Sequence, residues 1–269
     1  MSKSIGIFDS GHGGLDILQF LSQAHPDWKF HYVADLLVMP YGNKPLELIQ
    51  KRCQEIIHWF EQRGCDAVVM ACNTATAMAI DKMREEFSLP IIGIEPYLNY
   101  INKAPEKDFQ NERLGALVTP NTFESQRFKS LLELRDPLQL VKVETIFELA
   151  PLVESLISNR DLPQFKERLL ELLTPLKKYR WREVILGCTH YPLIGEFIEE
   201  VLEAKCISPT EYVAAQLENR LQWNRDQRSP TSSTTPAPTI KDQEFEYRNT
   251  LTEKWEYKKI SDFLFWRYS

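Results

Sequence analysis

The chain has 269 residues and a formal net charge of −6, and its hydrophobic (43 %) and charged (26 %) fractions are those of a folded, water-compatible protein of one or two domains. The charge is spread along the chain with no basic stripe, which argues against nucleic acid or an anionic membrane surface as partner and leaves a small polar substrate open. Five cysteines (Cys53, Cys65, Cys72, Cys188, Cys206) form an odd set without scaffold spacing or a CxxC pair, so reduced thiols are expected. The N-terminal stretch meets Asp9 too early to hold a secretory apolar region, and no run nears the roughly 18 apolar residues of a membrane span. A cytoplasmic location is the expectation.

In chain order, Ile5 to Phe8 predicts a short buried strand, Asp9-Ser-Gly-His-Gly-Gly14 a tight turn, and Leu15 to Ala24 a helix. The turn lacks the GxGxxG and GxxxxGK[ST] patterns, so a strand-to-helix turn carrying a carboxylate is favoured over a phosphate cradle. Lys29 to Ala34 reads as a strand, and Asp35 to Asn43 as a loop punctuated by Met39-Pro-Tyr-Gly42. From Pro45 a helix follows with Leu48, Ile49, Cys53, Ile56, Ile57 and Phe60 on one face, which makes Cys53, and Cys65 after it, packing residues. Ala67 to Ala71 is a strand ending on Cys72-Asn-Thr74, then come a helix over 75–87 and a strand from Pro90 to Ile94.

The second half repeats this plan. Leu114 to Val118 is a strand, Thr119-Pro-Asn-Thr122 a turn, and a helix runs to about Leu134 before a strand at 138–144. Helices at 151–157 and 163–176 lead to a strand at 183–186 that delivers Cys188, a strand at 204–207 and a helix from Pro209 to about 223. Residues 224–242, with Arg-Ser-Pro-Thr-Ser-Ser-Thr-Thr-Pro-Ala-Pro-Thr, have almost nothing to bury and read as a disordered linker. Beyond it, a strand at 244–247 and an aromatic-rich amphipathic helix at 251–265 are expected to pack back on the first domain.

Alternating strands and helices of this length predict an α/β fold of parallel sheets with right-handed crossovers. The repeat implies two pseudo-symmetric domains, 1–96 and 97–208, with an active site in the cleft between them and a return of 209–269 to the first. Ligands of such sheets sit beyond the carboxyl ends of strands, where Asp9, Tyr41, Cys72 and Glu95 are expected.

Val68-Val-Met-Ala-Cys-Asn-Thr-Ala-Thr76 and Val184-Ile-Leu-Gly-Cys-Thr-His-Tyr-Pro-Leu193 each end an apolar run on a cysteine before a helix. One such cysteine is ordinarily a small buried hydrophobe, but two in matching contexts suggest a pair. A helix N-terminus lowers a thiol pKa, so both are expected to be partly thiolate near neutrality. Thiols facing each other across a cleft suit removal of a proton from one face of a carbon and its return to the other, without a cofactor. Asp9 and His190 stand beside them as partners, unless Asp9 merely caps a helix and His190 lies in a surface turn. A zinc site from Cys72, Cys188, His190 and His12 lacks ligand spacing, and a Cys/His hydrolase needs only one such cysteine, so neither metal nor cofactor is expected.

Gly6-Ile-Phe-Asp-Ser-Gly-His-Gly-Gly-Leu15, Pro40-Tyr-Gly42, Ala71-Cys-Asn-Thr-Ala-Thr-Ala77, Thr119-Pro-Asn-Thr122 and Leu186-Gly-Cys-Thr-His-Tyr-Pro-Leu193 strongly resemble the glutamate racemase family of the aspartate/glutamate racemase superfamily, over residues 5–222. The resemblance implies two-base interconversion of L- and D-glutamate without a cofactor, supplying D-glutamate for peptidoglycan in a bacterial cytoplasm. It implies that Cys72 acts on the D-enantiomer and Cys188 on the L-enantiomer, that Asp9 and His190 assist, and that Glu154 is a further acid. Ser10, Tyr41, Gly42, Asn73, Thr74, Thr119, Thr122 and Thr189, with Asp9 and His190, match substrate-binding positions. His12 departs from the family's small apolar residue, and Ile146-Phe147 from a Cys-Pro. An aspartate racemase would usually carry an acidic residue in place of His190, a decarboxylase relative needs one thiol, and an idle binding protein would show a degraded site. A homodimer is one of the oligomeric states that the family leaves open.

Overall fold

The computed structural model describes residues 2–103, 113–221, 244–252 and 254–267; the stretch read as a linker, 224–242, lies outside them. The strands are β1 Ser4–Asp9, β2 Lys29–Ala34, β3 Ala67–Met70, β4 Ile91–Gly93, β5 Leu114–Val118, β6 Val141–Thr145, β7 Glu183–Gly187, β8 Lys205–Ile207, β9 Glu244–Asn249 and β10 Trp255–Lys259. The α-helices are α1 Leu15–Ala24, α2 Leu46–Gln62, α3 Asn73–Glu86, α4 Tyr100–Lys103, α5 Pro120–Glu124, α6 Gln126–Arg135, α7 Leu149–Asn159, α8 Leu162–Leu173, α9 Gly195–Leu202 and α10 Thr210–Arg220.

Two sheets form, with strand orders β10-β9-β2-β1-β3-β4 and β6-β5-β7-β8. Within the first, β2-β1-β3-β4 matches the second strand for strand, and every pairing in both sets of four is parallel. The central strands β3, β5 and β7 are buried at every residue, because helices cover both faces of a parallel sheet and leave no reason for polar alternation. Gly6 of β1 and Gly115 of β5 occupy equivalent places, and a Cβ at either would drive into an aromatic ring, that of Phe60 or Trp181. The repeat therefore extends to how closely an aromatic side chain lies on each first strand.

One apolar cluster runs from α1 and one face of the first sheet through Leu149, Val153, Leu186 and Tyr191 to Val213 and Leu217, so the halves share a core. Burial of each such large side chain stabilises by about 1.5–3 kcal/mol. A second cluster lies under α2 and α3 and includes Cys53, Cys65 and Cys72. Arg127 of α6 reaches Glu95, 2.5 Å away, and Asp81, joining the halves at a second place.

The C-terminal segment differs from expectation. In place of a helix at 251–265 there is the antiparallel strand β10, followed by 3-10 turns at Ile260–Asp262 and Phe265–Arg267. The aromatic-rich composition of 251–265 suggested an amphipathic helix, but β9 adds to β2 in parallel, pairing His31 with Glu246, and presents a free edge on which β10 satisfies its backbone. The strand expected at 138–144 is the shorter β6, and the helix expected from Pro45 begins at Leu46.

Candidate active site

In each sheet the chain reverses its direction of spread between the first and third strands, β1 and β3 in one and β5 and β7 in the other. A crevice opens at such a switch point beyond the carboxyl ends of the strands. Asp9 ends β1 and Cys72 lies two residues past β3; Thr119 follows β5 and Cys188 follows β7. The two crevices face one cavity of about 290 Å³. Cys72, Cys188, Glu154, His190, Ser10, Tyr41, Gly42, Asn73, Thr74, Thr119 and Thr189 line it; Asp9 and Thr122 lie behind its wall.

Cys72 is the N-cap of α3, and its Sγ accepts from Ala75 N at 3.5 Å. The thiol donates to Ser10 Oγ at 3.7 Å, Ser10 Oγ donates to Asp9 Oδ1 at 3.2 Å, and Asp9 also accepts from Gly11 N at 2.8 Å and Thr189 Oγ1 at 2.6 Å. A carboxylate at the end of one half's first strand is thus tied to the turn after the other half's third. The expectation of a partly ionised Cys72 is not met: burial pushes the thiol up to about 12, the charge of Asp9 adds to the rise, and the Ala75 and Ser10 bonds only moderate it. A helix N-terminus contributes about 0.3–1 kcal/mol. Complete desolvation of an ionisable group outweighs that several-fold.

Cys188 has different surroundings. The helix expected directly after it is a four-residue 3-10 turn, Tyr191–Ile194, ahead of α9, so this cysteine does not cap an α-helix as Cys72 does. Its neighbour is His190, whose Nδ1 lies 3.8 Å from Sγ and whose Nε2 lies 2.6 Å from Glu154 Oε1. His190 is buried, not a surface-turn residue. Burial alone would lower its pKa, but the Cys188 and Glu154 bonds, with the charges of Glu154 and Asp9, hold it well above the ordinary histidine value. In its protonated form the ring donates through both nitrogens, Nδ1 towards Cys188 Sγ and Nε2 to Glu154 Oε1. Glu154 is the converse: burial would raise it, yet His12 and His190 hold it well below the usual carboxylate range. Its Oε1 sits against the β1–α1 turn so closely that a Cβ on Gly11 would collide with it.

Asn73 is buried, and neither its Oδ1 nor its Nδ2 has a hydrogen-bond partner among the described residues. Thr74 Oγ1 meets Thr119 Oγ1 at 3.2 Å across the halves, and Thr119 donates to Thr122 Oγ1 at 2.8 Å, which places Thr122 as a support. The Tyr41 hydroxyl is committed to Asp35 at 2.5 Å, and Arg52 holds that carboxylate with two bonds. Tyr41 thus offers the cavity its ring, beside Gly42. Glu95, expected at a strand end, pairs with Arg127 and does not line the cavity.

Met39, Pro40, Pro120, Phe147, Ala150, Pro151, Ser155 and Ser158 also line the cavity and were not anticipated as site residues. For α7 a signal existed: Pro151, Glu154, Ser155 and Ser158 recur at helical spacing, a stripe interrupting an otherwise apolar helix.

Comparison with known proteins agrees with this geometry. A family model described as Asp/Glu/Hydantoin racemase matches residues 19–217. A glutamate racemase from Cupriavidus pinatubonensis is 35 % identical over 219 residues, covering 81 % of this chain and 78 % of that protein. Among solved structures, glutamate racemase isoform RacE1 from Bacillus anthracis superposes with a TM-score of 0.68 at 29 % identity, covering 82 % of each chain. Glutamate racemase from Francisella tularensis, solved in complex with D-glutamate, has a TM-score of 0.65 at 26 % identity and covers 92 % of this chain and 87 % of that one. Because the family match spans more than half of the chain, from β2 through β8, and takes in both cysteine turns, the chain belongs to the Asp/Glu/Hydantoin racemase family.

Proposed function

We propose that this chain is a glutamate racemase that interconverts L- and D-glutamate by two-base proton transfer, with Cys72 and Cys188 as the acid–base groups. One observation carries the reading: two thiols from equivalent turns of matching sheets line a single cavity, and each has its own set of proton-handling partners. With L-glutamate, Cys188 as thiolate removes the Cα proton while the His190 imidazolium, held by Glu154, steadies the sulfur's charge. Cys72, protonated near neutrality because burial pushes it up, delivers its proton to the opposite face. The product is D-glutamate, with Cys188 as thiol and Cys72 as thiolate, and proton exchange with solvent resets the pair. In the reverse direction Cys72 is the base, and the Ala75 N–H at the start of α3 takes part of its charge.

The unpartnered amide of Asn73 and the hydroxyls of Thr74, Thr119 and Thr189 supply polar contacts for the substrate's carboxylates and ammonium group. Asp9 acts behind the wall, through Ser10 on one side and Thr189 on the other. The reading extends to supply of D-glutamate for peptidoglycan in the cytoplasm. Among the described residues no helix is long and apolar enough to cross a membrane. The test is incubation of the pure protein with L-glutamate and no added cofactor while optical rotation is followed. Rotation should decay to zero; a stable signal with glutamate and decay with aspartate would overturn the substrate assignment.

A further inference from the structure

His12 stands in the β1–α1 turn, where the motif resemblance implies a small apolar side chain, and the mechanism above does not use it. It is buried, and its backbone N–H and both ring nitrogens are engaged. Its backbone N–H donates to Glu154 Oε1 at 2.6 Å, its Nδ1 lies 2.7 Å from Glu154 Oε2, and its Nε2 lies 2.9 Å from the hydroxyl of Tyr247 on β9. The ring also lies parallel to Tyr247, with centroids 6.0 Å apart and planes 15° apart, and packs on Phe263 at 4.9 Å. An imidazole bonded through both nitrogens and packed against two aromatic rings has a fixed plane.

The consequence falls on Glu154. Its Oε1 meets His190 Nε2 at 2.6 Å, and its Oε2 meets the ring of His12. The carboxylate therefore sits between two imidazoles, one beside a cavity thiol and the other anchored on the C-terminal hairpin. Among the described residues nothing equivalent supports Cys72, whose carboxylate Asp9 is held by Ser10, Gly11 and Thr189.

We propose that His12 is a positioning residue for the Cys188 side of the reaction: bridged between Tyr247 and Glu154, it fixes the carboxylate that holds His190 at the Cys188 sulfur. The β9–β10 hairpin thereby becomes part of the support of the active site. This inference rests on the two-thiol reading.

Its test must distinguish one thiol from the other. Because the two enantiomers have equal free energy, kcat/KM in the two directions stays equal in any variant and cannot report which transfer is slowed. The Cα-deuterium isotope effect on kcat/KM can. If proton transfer at Cys188 becomes slower, the effect rises with deuterated L-glutamate and falls towards unity with deuterated D-glutamate. Tyr247→Phe, which removes one hydroxyl, should lower kcat/KM about fivefold, and His12→Val, which removes both side-chain bonds, about 30-fold. His12→Asn retains a donor near Glu154 without reaching Tyr247 and should fall between them. All three should skew the isotope effects in that sense. A loss of rate with both effects unchanged would mark a merely structural role and overturn the proposal, as would unchanged kcat/KM. Should His12→Val fail to fold, Tyr247→Phe decides by the same skew. A wild-type protein that leaves glutamate unracemised would instead sink the underlying reading.

Discussion

The turns after β3 and β7 occupy equivalent positions in sheets with the same strand order, yet they surround their cysteines differently. After β3, Cys72 caps a fourteen-residue helix and reaches a carboxylate through a hydroxyl, Ser10 to Asp9. After β7, Cys188 precedes only a short 3-10 turn and reaches a carboxylate through an imidazole, His190 to Glu154. Duplication of a fold thus placed two thiols at one cavity without duplicating the groups that control their charge. The repeated strand order brings one thiol from each half to the cavity, and the proposed two-base reaction would use them on opposite faces of a carbon, each with its own partners.

The harshest way to break this comparison is to remove a thiol. Cys72→Ala and Cys188→Ala should each cost about three orders of magnitude in racemisation, since each deletes the acid in one direction and the base in the other. Polarimetry from either enantiomer measures it. Near wild-type turnover in either variant would end the equivalence of the two turns.

Glu154→Gln bears only on the Cys188 side and should lower kcat/KM about 100-fold, the scale of a buried charge-assisted bond. The pH dependence follows from sign. His190 is held above its ordinary value, so its protonated form is complete at low pH and is lost as pH rises through the raised value. Removing the carboxylate lowers that value, so the alkaline limb of the rate profile should move to lower pH. Glu154 is depressed, so its contribution to stability is present above the ordinary carboxylate range and is lost as pH falls towards its folded value. The stability gap between wild type and Glu154→Gln should therefore narrow in acid. An unmoved alkaline limb would show that His190 does not titrate against Glu154.

Much of the plan was readable from the chain. The apolar runs placed β1, β2 and β5 closely, because buried parallel strands bounded by turn residues leave few alternatives. The two cysteine motifs picked out the site because each marks a strand end. The state of Cys72 was not readable, since a local helix argument cannot weigh the desolvation that tertiary packing imposes. Nor were the contacts of His12: the partner of its Nε2 is 235 residues away, on a strand whose hairpin mate has the composition of an amphipathic helix. Trp255 to Lys259 has no strong pattern of its own, and β9 decides its conformation.

Thr189→Val sharpens the comparison at the link between the two sides. The change preserves shape but removes the 2.6 Å bond to Asp9 Oδ2, leaving that carboxylate with Ser10 and Gly11. A buried acceptor left short of a donor costs about 1–3 kcal/mol, so kcat/KM should fall about tenfold. Equal loss without any change in stability would locate the cost in the reaction; loss of stability alone would make Thr189 a tie between the halves.

The smallest effect on turnover is expected at a thiol that shares the Cys72 cluster without reaching the cavity. Cys53 projects from α2 with Ile49, Ile56, Ile57 and Phe60 on the buried face, and none of these lines the cavity. Burial raises its thiol well above the ordinary value, so it remains an uncharged packing group at working pH. Cys53→Ala deletes one buried sulfur and leaves a small void, which should cost about 1–2 kcal/mol of unfolding free energy. In a urea titration this appears as a lower midpoint at unchanged slope, while kcat and KM with either enantiomer stay at wild-type values. Loss of turnover in a variant of near wild-type stability would show that the packing behind Cys72 sets its position at the substrate, and the division between cavity thiols and packing thiols would fail.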